Sequence, residues 1–325
     1  MIRAGIVGAA GYVGGEMCRL LLLHPNVELA FAQSNSHFGE PLWAVHQDLF
    51  GESELCFSKE VDVTVDVLFL CSGHGKSLAF FTAHPVPDST VVIDLGNDFR
   101  LHKDATLGNR SFAYGLSDFF AADVLTCKNV ANPGCFATAI QQGILPLAQQ
   151  GLLVQDVHIT AVTGSTGAGQ SLSPTTHFSW RTNNLSTYKN FSHQHLSEIR
   201  ESVVRLQPSF SKELNFIPYR GDFPRGIIAT IHTKTTLSEE QAVALYTACY
   251  ANSPFTFVAQ QPINLKQVVN TNKALVQAEK HDGYLLITVV IDNLLKGAAG
   301  QAVENMNRIF GWELKSGLRL KPVAF

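Results

Sequence analysis

The run Gly8-Ala9-Ala10-Gly11-Tyr12-Val13-Gly14 constrains the fold more than any other stretch of this chain. It follows a β-favouring stretch, residues 2–7, and opens a helical one, residues 12–24, that Pro25 closes. A G-x-x-G-x-x-G turn between a strand and a helix lets a pyrophosphate approach backbone N–H groups at the helix N-terminus. The rhythm continues with strands at 27–32, 67–71 and 91–94 and helices at 76–84 and about 136–149. Strands alternating with helices over short connections imply an α/β fold, a Rossmann-like doubly wound parallel sheet.

After Gly151 the texture changes. A strand at 157–162 leads into a stretch at 164–192 rich in Gly, Ser, Thr and Asn, and a loop of that length is usually functional. Strands at 226–235, 267–270 and 284–291 and a helix at 238–251 suggest a second, α+β domain with a mixed or antiparallel sheet. The last helix, about 298–310, is expected to return to the first domain. The predicted organisation is therefore residues 1–150 plus 298–325 as a nucleotide-binding domain and 151–297 as a substrate-binding and oligomerisation domain.

The glycine turn makes Gly8, Gly11, Tyr12, Val13 and Gly14 candidate cofactor contacts. About 20 residues beyond the third glycine, where a carboxylate would hold the ribose 2′-hydroxyl of NAD, stands Gln33-Ser34-Asn35-Ser36. Hydroxyls at Ser34 and Ser36 can donate to a 2′-phosphate that a carboxylate would repel, which favours NADP; the other reading is ordinary loop hydroxyls. Ser72-Gly73-His74-Gly75-Lys76-Ser77 imitates a phosphate loop, but the glycine needed five positions earlier falls on Leu70. The segment instead ends a strand, with Cys71 approaching the cofactor edge.

Lys and Arg number 24 against 27 Asp and Glu, a net charge of −3, so no global positive field draws in nucleic acid or an anionic membrane. The longest apolar stretch, residues 284–295, is broken by Asp292 and Asn293 and is shorter than the ~20 residues of a membrane span. No export signal is visible in the glycine-broken N-terminus. The six cysteines contain no C-x-x-C pair and no disulfide or zinc spacing. These features point to a cytoplasmic protein with a small-molecule partner.

One cysteine stands apart. Asn132-Pro133-Gly134-Cys135-Phe136-Ala137-Thr138 puts Cys135 at a turn feeding a helix, where the positive end of the helix dipole favours a thiolate and free N–H groups can hold an oxyanion. Cys18 and Cys249 lie in helical runs and read as buried small hydrophobes.

The run Val130-Ala131-Asn132-Pro133-Gly134-Cys135-Phe136-Ala137-Thr138, continued to Gly143-Ile144-Leu145-Pro146, resembles the active-site signature of N-acetyl-gamma-glutamyl-phosphate reductases. The resemblance extends over the chain, through the glycine turn, Val92 to Leu101, Gly164 to Gly169 and Ile291 to Ala302. It implies NADPH-dependent reduction of an acyl phosphate of the arginine pathway to a semialdehyde and phosphate through a cysteine thioester, in a homo-oligomer, dimer or tetramer. His193-Gln194-His195-Leu196-Ser197-Glu198-Ile199 is similar to the family's His-Arg-His-x-Pro-Glu-Ile, which makes His193 and His195 the acid–base candidates. His195 is favoured because it directly precedes a predicted helix, although spacing alone does not separate the two. As a metal half-site the pair lacks a third ligand at a recognisable spacing, so no metal is expected.

Further candidates carry alternatives. Arg100 follows a strand end and is the leading phosphate ligand, with an ion pair to Asp94 or Asp98 as the competing reading. Ser165 and Thr166 offer hydroxyl and backbone donors to substrate, or simply form a turn. Asn293 is expected near the nicotinamide amide and Lys296 in an exposed or interfacial place. Tyr219, Arg220 and Arg225 lie in Phe216-Ile217-Pro218-Tyr219-Arg220-Gly221-Asp222-Phe223-Pro224-Arg225-Gly226; the family commonly has His at the Tyr219 position and no cation beside it, so Arg220 is extra. The acyl group is therefore acetyl, or succinyl if Arg220 binds a second carboxylate rather than pairing with Asp222 or facing solvent. The alternative functions are an aspartate-semialdehyde dehydrogenase-like enzyme, against which the Pro133-Gly134-Cys135 run speaks, and a non-catalytic NADP-binding redox sensor, against which the intact Cys135 speaks.

Overall fold

A computed structural model describes residues 1–323 and resolves the chain into two units. The first comprises Met1–Pro133 and Ala298–Arg319; the second comprises Gly134–Gly297 and, of the described tail, residues 320–323. Residues 324 and 325, within the expected first domain, lie outside the described residues.

In the first unit, β1 (Ile2–Val7) leads through the glycine turn into α1 (Tyr12–Leu22) and β2 (Val27–Gln33). There follow α2 (Leu42–Val45), β3 (Val67–Leu70), α3 (Ser77–Ala83), β4 (Val91–Asp94), β5 (Thr106–Leu107), β6 (Arg110–Tyr114), α4 (Ala121–Cys127) and β7 (Asn129–Ala131). The sheet order is β2-β1-β3-β4-β7-β6-β5, parallel except for the short edge strand β5. The chain runs outward from β1 to β2 and then returns to place β3 on the other side of β1. That reversal opens a crevice beyond the carboxyl ends of β1 and β3, where doubly wound sheets bind ligands. β3 and β4 are buried along their whole length, as strands covered on both faces are, and Phe99 stacks on Phe112 at 4.1 Å between ring centroids in the core.

The second unit opens with α5 (Cys135–Gln149), then β8 (Val157–Thr163), α6 (Phe178–Arg181), β9 (Ser186–Thr187), α7 (His195–Leu206), β10 (Leu214–Arg220), β11 (Ile227–Lys234), α8 (Glu239–Tyr250), β12 (Thr256–Val258), β13 (Ala274–His281) and β14 (Tyr284–Ile291). Its sheet, β12-β13-β14-β11-β8-β10-β9, is mixed: β8 and β10 run parallel, while β8, β11, β14 and β13 alternate in direction. A π-helical turn, Leu295–Ala299, then precedes α9 (Gly300–Ile309), which belongs to the first unit.

The expected boundary near residue 150 is corrected to the start of α5. Every residue of α5 from Phe136 to Ala148 is buried, and the helix packs on β11, β13 and β14 and on α7 and α8. A helix apolar nearly all round needs cover on every side, which this unit supplies. A second correction concerns residues 267–270, expected as a strand. Asn264 caps a 3₁₀ turn there by accepting from the Lys266 N–H, and Asn270 takes φ 68°, which ends any extended run; the strand forms later, at β13.

Pro146 lies inside α5. Its missing N–H leaves the Gln142 carbonyl without a helical donor, and the Tyr250 hydroxyl donates to that oxygen while Tyr246 donates to the neighbouring Gly143 carbonyl. Tyr250→Phe is expected to destabilise the fold by about 1–2 kcal/mol, because the buried carbonyl loses its donor. Urea denaturation checks this, and an unchanged midpoint would contradict it.

Candidate active site

In the first unit the glycine turn has the shape a pyrophosphate requires. Gly8 adopts φ 80°, and a Cβ there would lie 2.8 Å from the Ser72 backbone, so only glycine lets the turns after β1 and β3 meet. Gly14 is buried, and a Cβ on it would strike the Ala9 carbonyl at 2.5 Å, whereas a Cβ on Gly11, the α1 N-cap, would make only an ordinary contact with the Gly8 carbonyl oxygen at 3.8 Å. Tyr12 is exposed and Val13 half-buried beside it. The Gly8 and Ala9 N–H groups donate to the Gln33 carbonyl, tying the turn to the end of β2. Just beyond, Ser34 is buried and accepts from the His37 N–H, and its Oγ lies 3.4 Å from Ser36 Oγ on the exposed side. Residues 33–36 contain no acid, so this edge suits a 2′-phosphate better than a bare 2′-hydroxyl.

Cys71 ends β3, and its N–H donates to the Val7 carbonyl; burial pushes its thiol well above the ordinary range. Arg100 is buried and donates to the carbonyls of Asn132 (2.9 Å) and Leu95 (3.3 Å). The expected phosphate ligand therefore clamps backbone of its own unit.

Asp94, at the end of β4, has no exposed surface; its Oδ1 accepts from Ser77 Oγ (2.7 Å) and the Gly96 N–H (2.9 Å). Burial pushes this carboxyl up to about 6, against the lowering pull of those two hydrogen bonds. An unfolded aspartate titrates near 3.9, so between about pH 4 and 6 the folded state holds a proton that the unfolded state has released. Stability from this group is therefore greatest below about pH 4 and is lost as pH rises through 6. Asp94→Asn is expected to gain stability relative to the native chain by about 3 kcal/mol between pH 4 and 7. A pH-independent difference in urea midpoints would contradict this.

In the second unit Cys135 is the first residue of α5, with Gly134 as its N-cap. The end of a helix of 15 residues favours negative charge on the sulfur. His195 begins α7 and lies over Gly134 so closely that a Cβ on Gly134 would be 2.3 Å from His195 Nε2. Glu198, one turn along α7, accepts from the Gly134 N–H at 3.1 Å and sits 3.9 Å from His195 Nε2. A single buried carboxylate thus ties the imidazole to the turn that carries the thiol. Glu198 was not among the sequence candidates, although its i,i+3 spacing from His195 on one helix was a signal for it.

The other histidine is held differently. His193 Nδ1 accepts from the His195 N–H (3.2 Å), and its ring is enclosed by Phe136, Tyr188 and Phe216. Gly297 also comes close to Cys135: it donates its N–H to the Asp292 carbonyl, and a Cβ on Gly297 would lie 2.9 Å from Cys135 Cβ.

Arg225 and Asn293 build the support for that turn. Arg225 grips the fully buried Asp292 in a fork, Nε to Oδ2 at 3.0 Å and Nη2 to Oδ1 at 3.1 Å. Asn293, expected at the nicotinamide, is buried; its Oδ1 accepts from the Gly226 N–H and its Nδ2 donates to Thr166 Oγ1. Thr166 Oγ1 in turn donates to the Pro224 carbonyl, and the backbone N–H groups of Ser165 and Thr166 donate to Phe223 and Pro224. Those backbone donors thus close a turn instead of facing substrate. Lys296, expected to be exposed or interfacial, is fully buried, with Nζ 5.8 Å from the Phe255 ring centre.

Tyr219 is half-buried on β10 opposite Thr187. Beside it, the Arg220 guanidinium lies 4.3 Å over the Tyr188 ring and donates to Thr175 Oγ1. Among the described residues no cluster of three or more His, Cys, Asp or Glu could hold a metal ion, and no helix is long and apolar enough to cross a membrane.

Residues 3–116 match a family model described as semialdehyde dehydrogenase, NAD binding domain, and residues 135–293 one described as semialdehyde dehydrogenase, dimerisation domain. A protein of Flavobacterium johnsoniae named N-acetyl-gamma-glutamyl-phosphate reductase is 53% identical over 325 residues, covering 100% of both chains. One of the same name from Bacteroides thetaiotaomicron is 51% identical over 326 residues, again covering 100% of both. Among solved structures, aspartate semialdehyde dehydrogenase II from Vibrio cholerae superposes with a TM-score of 0.70 at 17% identity, covering 96% of this chain and 99% of that one. Aspartate semialdehyde dehydrogenase with NADP from Candida albicans gives a TM-score of 0.68 at 12% identity, covering 96% and 99%.

Proposed function

This chain belongs to the semialdehyde dehydrogenase family and, within it, to the N-acetyl-gamma-glutamyl-phosphate reductases, and from that premise we propose that it reduces an N-acyl-γ-glutamyl phosphate to the N-acyl-glutamate 5-semialdehyde and phosphate, with NADPH, in arginine biosynthesis. The observation that carries the reading is Cys135 at the N-terminus of α5 with the His195 ring against Gly134. The Cys135 thiolate attacks the acyl carbon, the C–O bond to phosphate breaks, and the acyl group is left as a thioester on Sγ. NADPH, when bound, supplies the hydride that reduces the thioester carbon.

His195 is the acid–base group of this proposal. It gives a proton to the oxyanion as the thiohemiacetal forms and takes it back as the C–S bond breaks, freeing aldehyde and thiolate. Glu198 is a positioning residue, because one carboxylate meets both the Gly134 N–H and His195. His193, with Nδ1 accepting from backbone and its ring among aromatic side chains, supports the turn. The Gly8 turn fits the pyrophosphate of the nucleotide, and the acid-free Ser34 and Ser36 edge supports NADP over NAD.

A homo-oligomer is part of the same reading. The outer face of the second sheet carries Val162, Ile228, His232 and Leu286, half-buried or exposed on the side away from the residues packed under α5, a face suited to a second copy of the chain. The reaction is tested in reverse, with NADP, phosphate and an N-acyl-glutamate semialdehyde. Reduced nicotinamide should accumulate only when phosphate is present. Failure in protein shown to bind NADP, with turnover of aspartate semialdehyde instead, would overturn the substrate assignment.

A further inference from the structure

The loop between β8 and α7 brings a second guanidinium to Arg220. Arg181, on α6, donates through Nη2 to the carbonyl of Gly221, the residue after Arg220. The Arg220 guanidinium lies over the Tyr188 ring, and one Nη donates to Thr175 Oγ1. Arg220 depresses the Arg181 guanidinium's affinity for its proton, second only to burial, so the two cations act on each other. Two like charges side by side are unfavourable unless an anion joins them.

Among the described residues no carboxylate makes a direct ion pair with either arginine: Asp222, whose charge acts on Arg181 but does not offset burial and Arg220, accepts the Asn183 N–H at 2.6 Å. Arg181 Nε is a buried donor that meets no acceptor among the described residues. Buried donors in native proteins are almost always satisfied, so this one points to a ligand. The pair also lies beside the thiol's surroundings. The Tyr188 ring that carries Arg220 is 5.7 Å from His193, and burial followed by the Cys135 sulfur pushes the Tyr188 phenol far above its ordinary range.

We propose that Arg181 and Arg220 form a carboxylate-binding site for the far end of a dicarboxylic N-acyl group, such as N-succinyl, on the substrate. The proposal rests on the acyl-phosphate reading above and names the acyl class that reading leaves open. Guanidinium forks match carboxylates in two places, and Thr175 holds one fork in position. An N-acetyl substrate has only its α-carboxylate, whereas a succinyl group brings one more negative charge, and Arg220 is the cation by which this chain departs from the pattern it otherwise resembles.

The test is calorimetric titration of the intact protein with N-succinyl-L-glutamate and N-acetyl-L-glutamate, before and after Arg220→Gln. The native protein should bind the succinyl compound about 10- to 100-fold more tightly, the worth of charge-assisted hydrogen bonds, and Arg220→Gln should abolish that preference. Equal binding of both compounds by the native protein overturns the proposal, and that arm needs no variant to fold. An equal loss for both compounds on Arg220→Gln also overturns it, by assigning the pair to the shared α-carboxylate. Succinyl-selective binding without turnover of either semialdehyde would instead fault the proposed reaction and leave the binding site standing.

Discussion

Cys135→Ser is expected to lower kcat by on the order of 10⁴-fold or more, the scale on which removing a nucleophile acts, while leaving NADP affinity unchanged. The second expectation follows from the division of labour, since the glycine turn after β1 belongs to the first unit and Cys135 to the second. Serine keeps the size and position of the group at the head of α5, so the fold should survive. What it loses is an anion accessible near neutral pH and a good leaving group when the thiohemiacetal collapses. Three of the other five thiols are poor substitutes: burial pushes Cys18 up to about 12 and raises Cys71 and Cys127. Incubation with acyl phosphate and no NADPH should therefore add one acyl mass to the peptide holding Cys135. Activity within tenfold of the native level in Cys135→Ser, or acylation at another cysteine, would remove the thioester from the mechanism.

The local structure legible in the sequence is that of contiguous segments. The glycine turn lies, as expected, as seven consecutive residues between a strand and a helix, and Cys135 begins the helix expected after Pro133 and Gly134. The strand expected at 284–291 shares both ends with β14. What the sequence did not show depended on partners far along the chain. Arg100, a candidate phosphate ligand with an ion pair to Asp94 or Asp98 as the other reading, donates to backbone carbonyls, and Arg225, a candidate substrate contact, forks onto Asp292. Arg181 carried no local sign at all, since its interest comes from a loop that folds back to Arg220. The assignment of α5 failed for the same reason: periodicity gives a helix its faces and cannot say which sheet covers them.

Gly134→Ala is expected to cost about 100-fold or more in kcat, although it adds one methyl group at a residue with no titratable side chain. Gly134 has φ −68°, so alanine meets no backbone strain there; the conflict is steric. The new Cβ would stand 2.3 Å from His195 Nε2, a separation no non-bonded pair sustains, so either the imidazole or the N-cap turn must move. The ring is not free to swing away, because Phe136 and His193 flank it and its helix is tied through Glu198 to the same Gly134 N–H. A displacement of about 1 Å in an acid–base group can cost about 100-fold. Overpacking should also lower stability by about 1–3 kcal/mol. A structural defect alone would leave the pH profile of kcat in place, whereas a displaced His195 should flatten the limb that it governs. NADP affinity serves as the internal control, since it reports on the first unit. Native kcat in Gly134→Ala would mean that His195 can leave this position without loss, and the acid–base role would pass to another group.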